Sequence, residues 1–178
     1  MNERLSRSLR IVNIFSWVDF GKPIDLRRIA ELISDAEYDP EMAAGLILRS
    51  KRPKACFTLY GSGKARCTGA QSMEDAEIAV KKIVDILSSV VDDLGTPKIE
   101  IRNLVCVTNL QKEVNLIGLA EALRGQLYYE PEQFPGAVLR GKDYGTALIF
   151  QSGKIVMTEV RTIADANRIE SNLRRILT

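Results

Sequence analysis

The groups able to do chemistry in this chain are amides, hydroxyls and cations. The 178-residue sequence has no histidine, and its three cysteines, Cys56, Cys67 and Cys106, lack Cys-x-x-Cys spacing. A zinc centre or a Cys–His nucleophile needs those groups, so neither is expected and no cofactor is implied. Asp19, Asp25, Asp39 and Glu41 form no recognisable acid–base pair. Ser62-Gly63-Lys64 and Ser152-Gly153-Lys154 lack the glycine-rich run of a phosphate loop. An enzyme is therefore not expected. Two asparagines remain, Asn13 and Asn103, each inside a run of β-branched and aromatic residues where an amide is disfavoured. The densest basic cluster is Arg49-Ser50-Lys51-Arg52-Pro53-Lys54, with Arg140, Lys142 and Lys154 as a sparser counterpart. Amides donate to neutral acceptors and cations meet phosphates, which is the chemistry of binding.

These groups come in pairs. A shift of 90 residues brings Asn13 onto Asn103, Ser62-Gly63-Lys64 onto Ser152-Gly153-Lys154, and Thr68 onto Thr158. The same shift brings Leu26, Ile29, Ala30 and Ile33 onto Leu116, Leu119, Ala120 and Leu123. A middle block is displaced by one further residue, so that Tyr38-Asp39-Pro40-Glu41 meets Tyr129-Glu130-Pro131-Glu132, and Gly45 and Arg49 meet Gly136 and Arg140. Register held across a whole unit identifies a duplication. The repeats are expected at 10–92 and 98–178, joined by Asp92-Asp93-Leu94-Gly95-Thr96-Pro97.

The elements that must position the pairs follow from periodicity. Residues 10–18 read as a strand, with Ile11, Asn13, Phe15 and Trp17 on one face and Val12, Ile14 and Val18 on the other. Each Ser-Gly-Lys is a hairpin turn that places Gly63 and Gly153 at positive φ. Asp25 and Asn115 cap short helices. Ser72 opens a long helix with a buried face of Ala76, Ala79, Val80, Ile83, Val84 and Leu87; Thr162 opens its twin, backed by Ala166, Ile169, Leu173 and Leu177. A strand is expected from Ala44 to Arg49, after a bend at Pro40, and the basic cluster is read as a hairpin loop. The fold class is α+β: two pseudo-symmetric repeats forming one curved antiparallel sheet, with helices on the convex face. The other face is left apolar and free, as a binding surface is.

Composition sets limits on the class. Hydrophobic residues make up 46% and charged residues 27%, with a net charge of +2, which is the profile of a globular chain with a real core. Met1–Ser8 are polar, unlike a secretory leader, and no apolar run reaches membrane-spanning length. Buried reduced thiols and a cytoplasmic, nucleoid-associated location are expected, with no membrane partner.

Several motifs together resemble the TATA-box-binding protein family, in its archaeal type, over roughly residues 10–178. They are Ile11-Val12-Asn13, Ala36-Glu37-Tyr38-Asp39-Pro40, Cys67-Thr68-Gly69-Ala70, Ile101-Arg102-Asn103, Tyr129-Glu130-Pro131-Glu132-Gln133-Phe134-Pro135-Gly136 and Leu148-Ile149-Phe150-Gln151-Ser152-Gly153-Lys154. The resemblance implies a saddle whose concave sheet enters the minor groove of A·T-rich promoter DNA and bends it, a behaviour established for that family. It implies donors from Asn13 and Asn103 meeting at the pseudo-dyad, with hydroxyls from Thr68 and Thr158. Val105, Leu148 and Val156 would exclude guanine's N2 amine. Phe134 and Phe150 match the wedge pair, and Arg49, Lys64, Arg140, Lys154, Ser62 and Ser152 match phosphate contacts. Glu130, Glu132 and Gln133 match a loop that docks transcription factor B within the RNA polymerase pre-initiation complex.

The first repeat departs from this pattern. Ala43 stands where the family has a wedge Phe, Tyr60 replaces the second wedge, and Phe15, Thr58 and Arg66 occupy small or apolar groove positions. These departures imply less bending and more electrostatic binding. They also define an alternative: a diverged saddle-fold paralogue that binds other DNA, RNA or protein as a regulator. Off DNA, the exposed apolar sheet is expected to support a homodimer.

Overall fold

The computed structural model describes residues 5–141 and 145–177. Contacts divide the chain into two compact units: Asn13–Arg102, and Met1–Val12 together with Asn103–Thr178. The first repeat contributes β1 (Arg10–Asp19), α1 (Leu26–Leu32), β2 (Gly45–Lys51), β3 (Lys54–Tyr60), β4 (Lys64–Ala70) and α2 (Met73–Ser88). The second contributes β5 (Lys98–Asn109), α3 (Leu116–Ala122), β6 (Leu127–Tyr128), β7 (Gly136–Gly141), β8 (Gly145–Phe150), β9 (Lys154–Val160) and α4 (Ile163–Leu177). The dividing line between the units thus runs through β1 and β5. Strand order is β2-β3-β4-β1 in the first repeat and β5-β9-β8-β7-β6 in the second, with antiparallel pairing in each.

Helix starts follow the sequence signals. Asp25 accepts from the amides of Arg27 and Arg28, Asn115 from Gly118, Ser72 from Asp75, and Thr162 from Asp165. Each carboxylate, amide or hydroxyl satisfies N–H groups that a helix leaves without internal partners. The buried stripe of α2 is Ala76, Ala79, Val80, Ile83 and Leu87, with Val84 half-buried beside it. It packs on Ala55, Phe57, Leu59, Ala65 and Cys67, the inward alternate residues of β3 and β4.

Three expectations are corrected. Ile11 is buried and does not share the half-exposed face of Asn13, because alternation breaks between Val12 and Asn13. A strand register shift lies close by, where Ile14 pairs Ala70 but Phe15 pairs Thr68, leaving Gly69 as an extra residue in β4. The basic cluster is mostly strand: β2 runs to Lys51 and β3 begins at Lys54, since the hairpin closes at Arg52–Pro53. Of the thiols, Cys67 and Cys106 are buried, whereas Cys56 is half-exposed on the opposite face of β3.

Candidate nucleic-acid interface

In each unit one sheet face carries the helices and the alternate residues of the same strands remain open. In the first unit, register aligns Ile47, Thr58, Arg66 and Trp17 as one cross-strand row. A parallel row is Arg49, Cys56, Thr68 and Phe15. In the second unit the row equivalent to the first is Val138, Leu148, Val156 and Val107, all aliphatic and all half-exposed. Beside it, Arg140, Thr146 and Thr158 align, and Val105 shares their open face. Trp17, Ile47, Val107 and Val138 were not singled out from sequence as site residues. Period-2 alternation from Asn13, Arg49, Asn103 and Arg140 is the signal that finds them.

The two asparagines are engaged differently, Asn13 with backbone and Asn103 with a side chain. Asn13 Oδ1 accepts the Gly69 N–H at 2.7 Å, satisfying the amide of the bulge. Gly69 has φ +102, which suits glycine. With Oδ1 so engaged, the Asn13 Nδ2 donors have no partner among the described residues. In the second unit Asn103 Nδ2 donates to Thr158 Oγ1 at 3.2 Å, and Asn103 Oδ1 is buried without a partner among the described residues. The matching bulge places Glu159 at φ +62. A side chain there costs about 1–2 kcal/mol. Glu159→Gly is therefore expected to raise stability by about 1 kcal/mol, measured by urea unfolding; an unchanged midpoint would show no strain at this position.

The aromatic residues differ between the units. Phe134 and Phe150 lie edge to face, centroids 5.8 Å apart. Both rings close over Gly136, where an added Cβ would sit 2.8 Å from Phe134 and 3.0 Å from Phe150. Phe134 is 39% exposed. At the equivalent corner of the first unit Ala43 has no ring, and Tyr60 turns to Trp17 at 6.0 Å. Trp17 in turn contacts Phe15 at 6.3 Å, and the Arg66 guanidinium lies 5.5 Å from the Phe15 ring centre.

Cations border both faces. Lys64 and Lys154 are exposed at the starts of β4 and β9, and Arg140 is exposed on β7. Arg49 forms an exposed ion pair with Glu37, a kind of contact worth little and readily exchanged for another anion. Lys142 lies outside the described residues. Ser62 and Ser152 are exposed in the hairpin turns, apart from the rows. Glu132 and Gln133 are exposed and Glu130 half-exposed in the loop before β7; the Tyr128 phenol is pushed up through its hydrogen bond to Glu130. Burial pushes the Cys67 and Cys106 thiols up to about 11, so neither is a thiolate at neutral pH.

Comparison with known proteins gives one answer. The family described as "Transcription factor TFIID (or TATA-binding protein, TBP)" matches residues 8–90 and 98–178. The TATA-box-binding protein of Methanocaldococcus jannaschii is 42% identical over 171 residues, covering 95% of this chain and 91% of that protein. That of Archaeoglobus fulgidus is 39% identical, covering 94% and 96%. Among solved structures, Methanococcus jannaschii TBP matches with a TM-score of 0.86 and 39% identity, over 96% of this chain and 98% of that one. The expected α+β fold is thereby shown, and the chain belongs to the TATA-box-binding protein family.

Proposed function

We propose that this chain is a transcription initiation factor that binds the minor groove of A·T-rich promoter DNA, bends it and recruits transcription factor B into the RNA polymerase pre-initiation complex. The supporting observation is the half-exposed aliphatic row Val138–Leu148–Val156–Val107, bordered by Arg140, Lys154 and the Phe134–Phe150 pair. An apolar strip matches a groove edge that offers acceptors at A·T pairs and an extra amine at G·C. Thr158 and Asn103 supply polar notches, and the two functional halves are 10–92 and 98–178. Glu130, Glu132 and Gln133 form the acidic loop for a basic partner. The role is binding and not catalysis, in the cytoplasm on the nucleoid. No helix among the described residues is long and apolar enough to cross a membrane.

The first repeat bends DNA less, because Ala43 offers no ring to insert between bases. Phe134→Ala is expected to weaken binding by about 2 kcal/mol, roughly thirtyfold, through lost ring burial, and to reduce the bend measured by fluorescence energy transfer on a TATA duplex. Ala43→Phe is expected to increase the bend. With Arg49, Lys64, Arg140 and Lys154 on phosphates, log K should fall with log salt at a slope of about −3.6. Two equal kinks in the wild type would rule out the reduced first half. Ala43 and Arg66 also favour a second reading, a paralogue that takes other DNA, RNA or protein on the same face. Uniform coating of promoter DNA in a footprint, without a protected A·T site, would select it; self-association of free protein without DNA would show the face used as a dimer contact.

A further inference from the structure

We propose that the two repeats read base pairs by different rules: the second admits only A·T, whereas Thr58 and Arg66 allow the first to accept G·C. This rests on the minor-groove reading above.

Equivalent positions in the two rows carry the inference. Leu148 in the second unit corresponds to Thr58 in the first, and Val156 to Arg66, each 90 residues apart. Both pairs occupy the same register, Leu148 opposite Val156 and Thr58 opposite Arg66. Guanine differs from adenine in the minor groove by its N2 amine, a hydrogen-bond donor. Against Leu148 and Val156 that amine finds no acceptor, and a desolvated, unpaired donor is strongly disfavoured. Against Thr58 it meets a hydroxyl with acceptor lone pairs, which has no partner among the described residues. The Thr58 methyl already fills the space above Gly45, where an added Cβ would lie 2.6 Å from Cγ2.

Arg66 acts in the same direction. Its guanidinium, held against Phe15, donates and never accepts. The acceptors on the minor-groove edge persist at G·C pairs, which add the amine to them. Its attraction to the groove therefore does not depend on base-pair identity in the way that an aliphatic side chain's fit does.

Because the repeats are related by duplication, a nearly palindromic A·T site can be occupied in either orientation. The molecule will turn its permissive half toward a G·C pair wherever that pair lies. Wild-type protein is thus expected to bind a duplex with one G·C pair in either half within about threefold of the all-A·T duplex. With G·C pairs in both halves, binding should weaken by roughly tenfold to a hundredfold. In the Thr58→Leu/Arg66→Val double variant, a single G·C pair should already carry that full penalty. Leu148→Thr/Val156→Arg should make even the doubly substituted duplex acceptable. Fluorescence anisotropy on the four duplexes (all-A·T, G·C in the left half, in the right half, in both) measures this.

A one-half penalty that is equal in wild type and Thr58→Leu/Arg66→Val would overturn the inference, as would wild-type tolerance of G·C in both halves. If the all-A·T duplex is bound no better than a mixed-sequence duplex, the minor-groove reading itself fails.

Discussion

Gly63→Ala is expected to destabilise the first unit strongly, lowering stability by about 4 kcal/mol. Gly63 has φ +79, where any Cβ costs about 1–2 kcal/mol. The larger contribution is tertiary. A Cβ at this position would lie 1.7 Å from the Lys22 carbonyl oxygen and 2.6 Å from its carbon. Backbone must move to relieve that clash, and overpacking typically adds about 1–3 kcal/mol. The displaced segment is held by the turn itself: Phe20 donates to the Gly63 carbonyl at 2.9 Å and Ile24 to the Gly61 carbonyl at 3.0 Å. The second repeat copies the arrangement, with Leu110 donating to Gly153 and Val114 to Gln151, both at 2.9 Å. Gly153→Ala would meet the Lys112 carbonyl oxygen at 2.2 Å, so a loss of about 3 kcal/mol is expected. Gly61→Ala is the control. Its nearest contact would be 3.8 Å away, the second repeat carries Gln151 there, and a change under about 0.5 kcal/mol is expected. Urea unfolding of the three variants measures these effects; equal midpoints for Gly61→Ala and Gly63→Ala would remove the docking role of the turn. Natural domains are stable by only about 5–15 kcal/mol, so the Gly63 variant should be largely unfolded under mild denaturation.

Glu170→Val is expected to destabilise the second unit by about 3 kcal/mol and to release the segment around Ser6 and Ser8. Glu170 is 3% exposed and lies within the otherwise apolar stripe of α4, at the position where α2 has Val80. Its carboxylate accepts from Ser8 Oγ at 2.7 Å, Thr108 Oγ1 at 2.6 Å and Arg174 Nη2 at 3.0 Å, and also from Ser6 Oγ. Ser6 N donates in addition to Asn167 Oδ1 at 2.9 Å. The first repeat has Val18, Val80 and Val84 where the second has Thr108, Glu170 and Arg174. Removing the carboxylate alone takes the acceptor from the Ser6, Ser8 and Thr108 hydroxyls, and breaking a buried charged cluster costs about 3–5 kcal/mol. Changing Thr108, Glu170 and Arg174 together to valine should recover most of that loss, because well-packed aliphatics replace such clusters at little cost. The triple variant would still leave Ser6 and Ser8 without their acceptor, so amide exchange in residues 5–9 should rise in both variants.

Acid should reproduce the effect. Burial alone pushes the Glu170 carboxyl up, but the Ser6, Thr108 and Ser8 hydroxyls and Arg174 together hold it below the ordinary carboxylate range. A depressed folded-state pKa stabilises the protein above the unfolded value, about 4.3, and that stability is lost as pH falls through the folded value. Urea midpoints measured downward from pH 6 should fall more steeply in wild type than in the triple valine variant. Parallel curves would show that Glu170 does not titrate with folding.

The sequence by itself determined the repeat, the caps, the helix stripes and the open face bearing Asn13, Asn103, Leu148 and Phe150. Each is a local or periodic property: 3.6-residue and two-residue periods fix which side chains share a face, and cap chemistry acts within a turn. Tertiary structure decided what periodicity cannot carry. The Asn13 carbonyl is engaged by the Gly69 bulge, a contact 56 residues distant in sequence, which leaves only the Nδ2 donors for a ligand. Glu170 is polar by type and buried by partners 62 to 164 residues away. Gly63 announced a turn, but the nearness of the Lys22 backbone depends on how two separate loops dock. Trp17 became the partner of Tyr60 only once β1 and β4 had paired and the register brought Arg66 alongside it. Hydrogen bonding and packing across strands act between residues far apart along the chain, so their outcome depends on the folded register and not on local spacing.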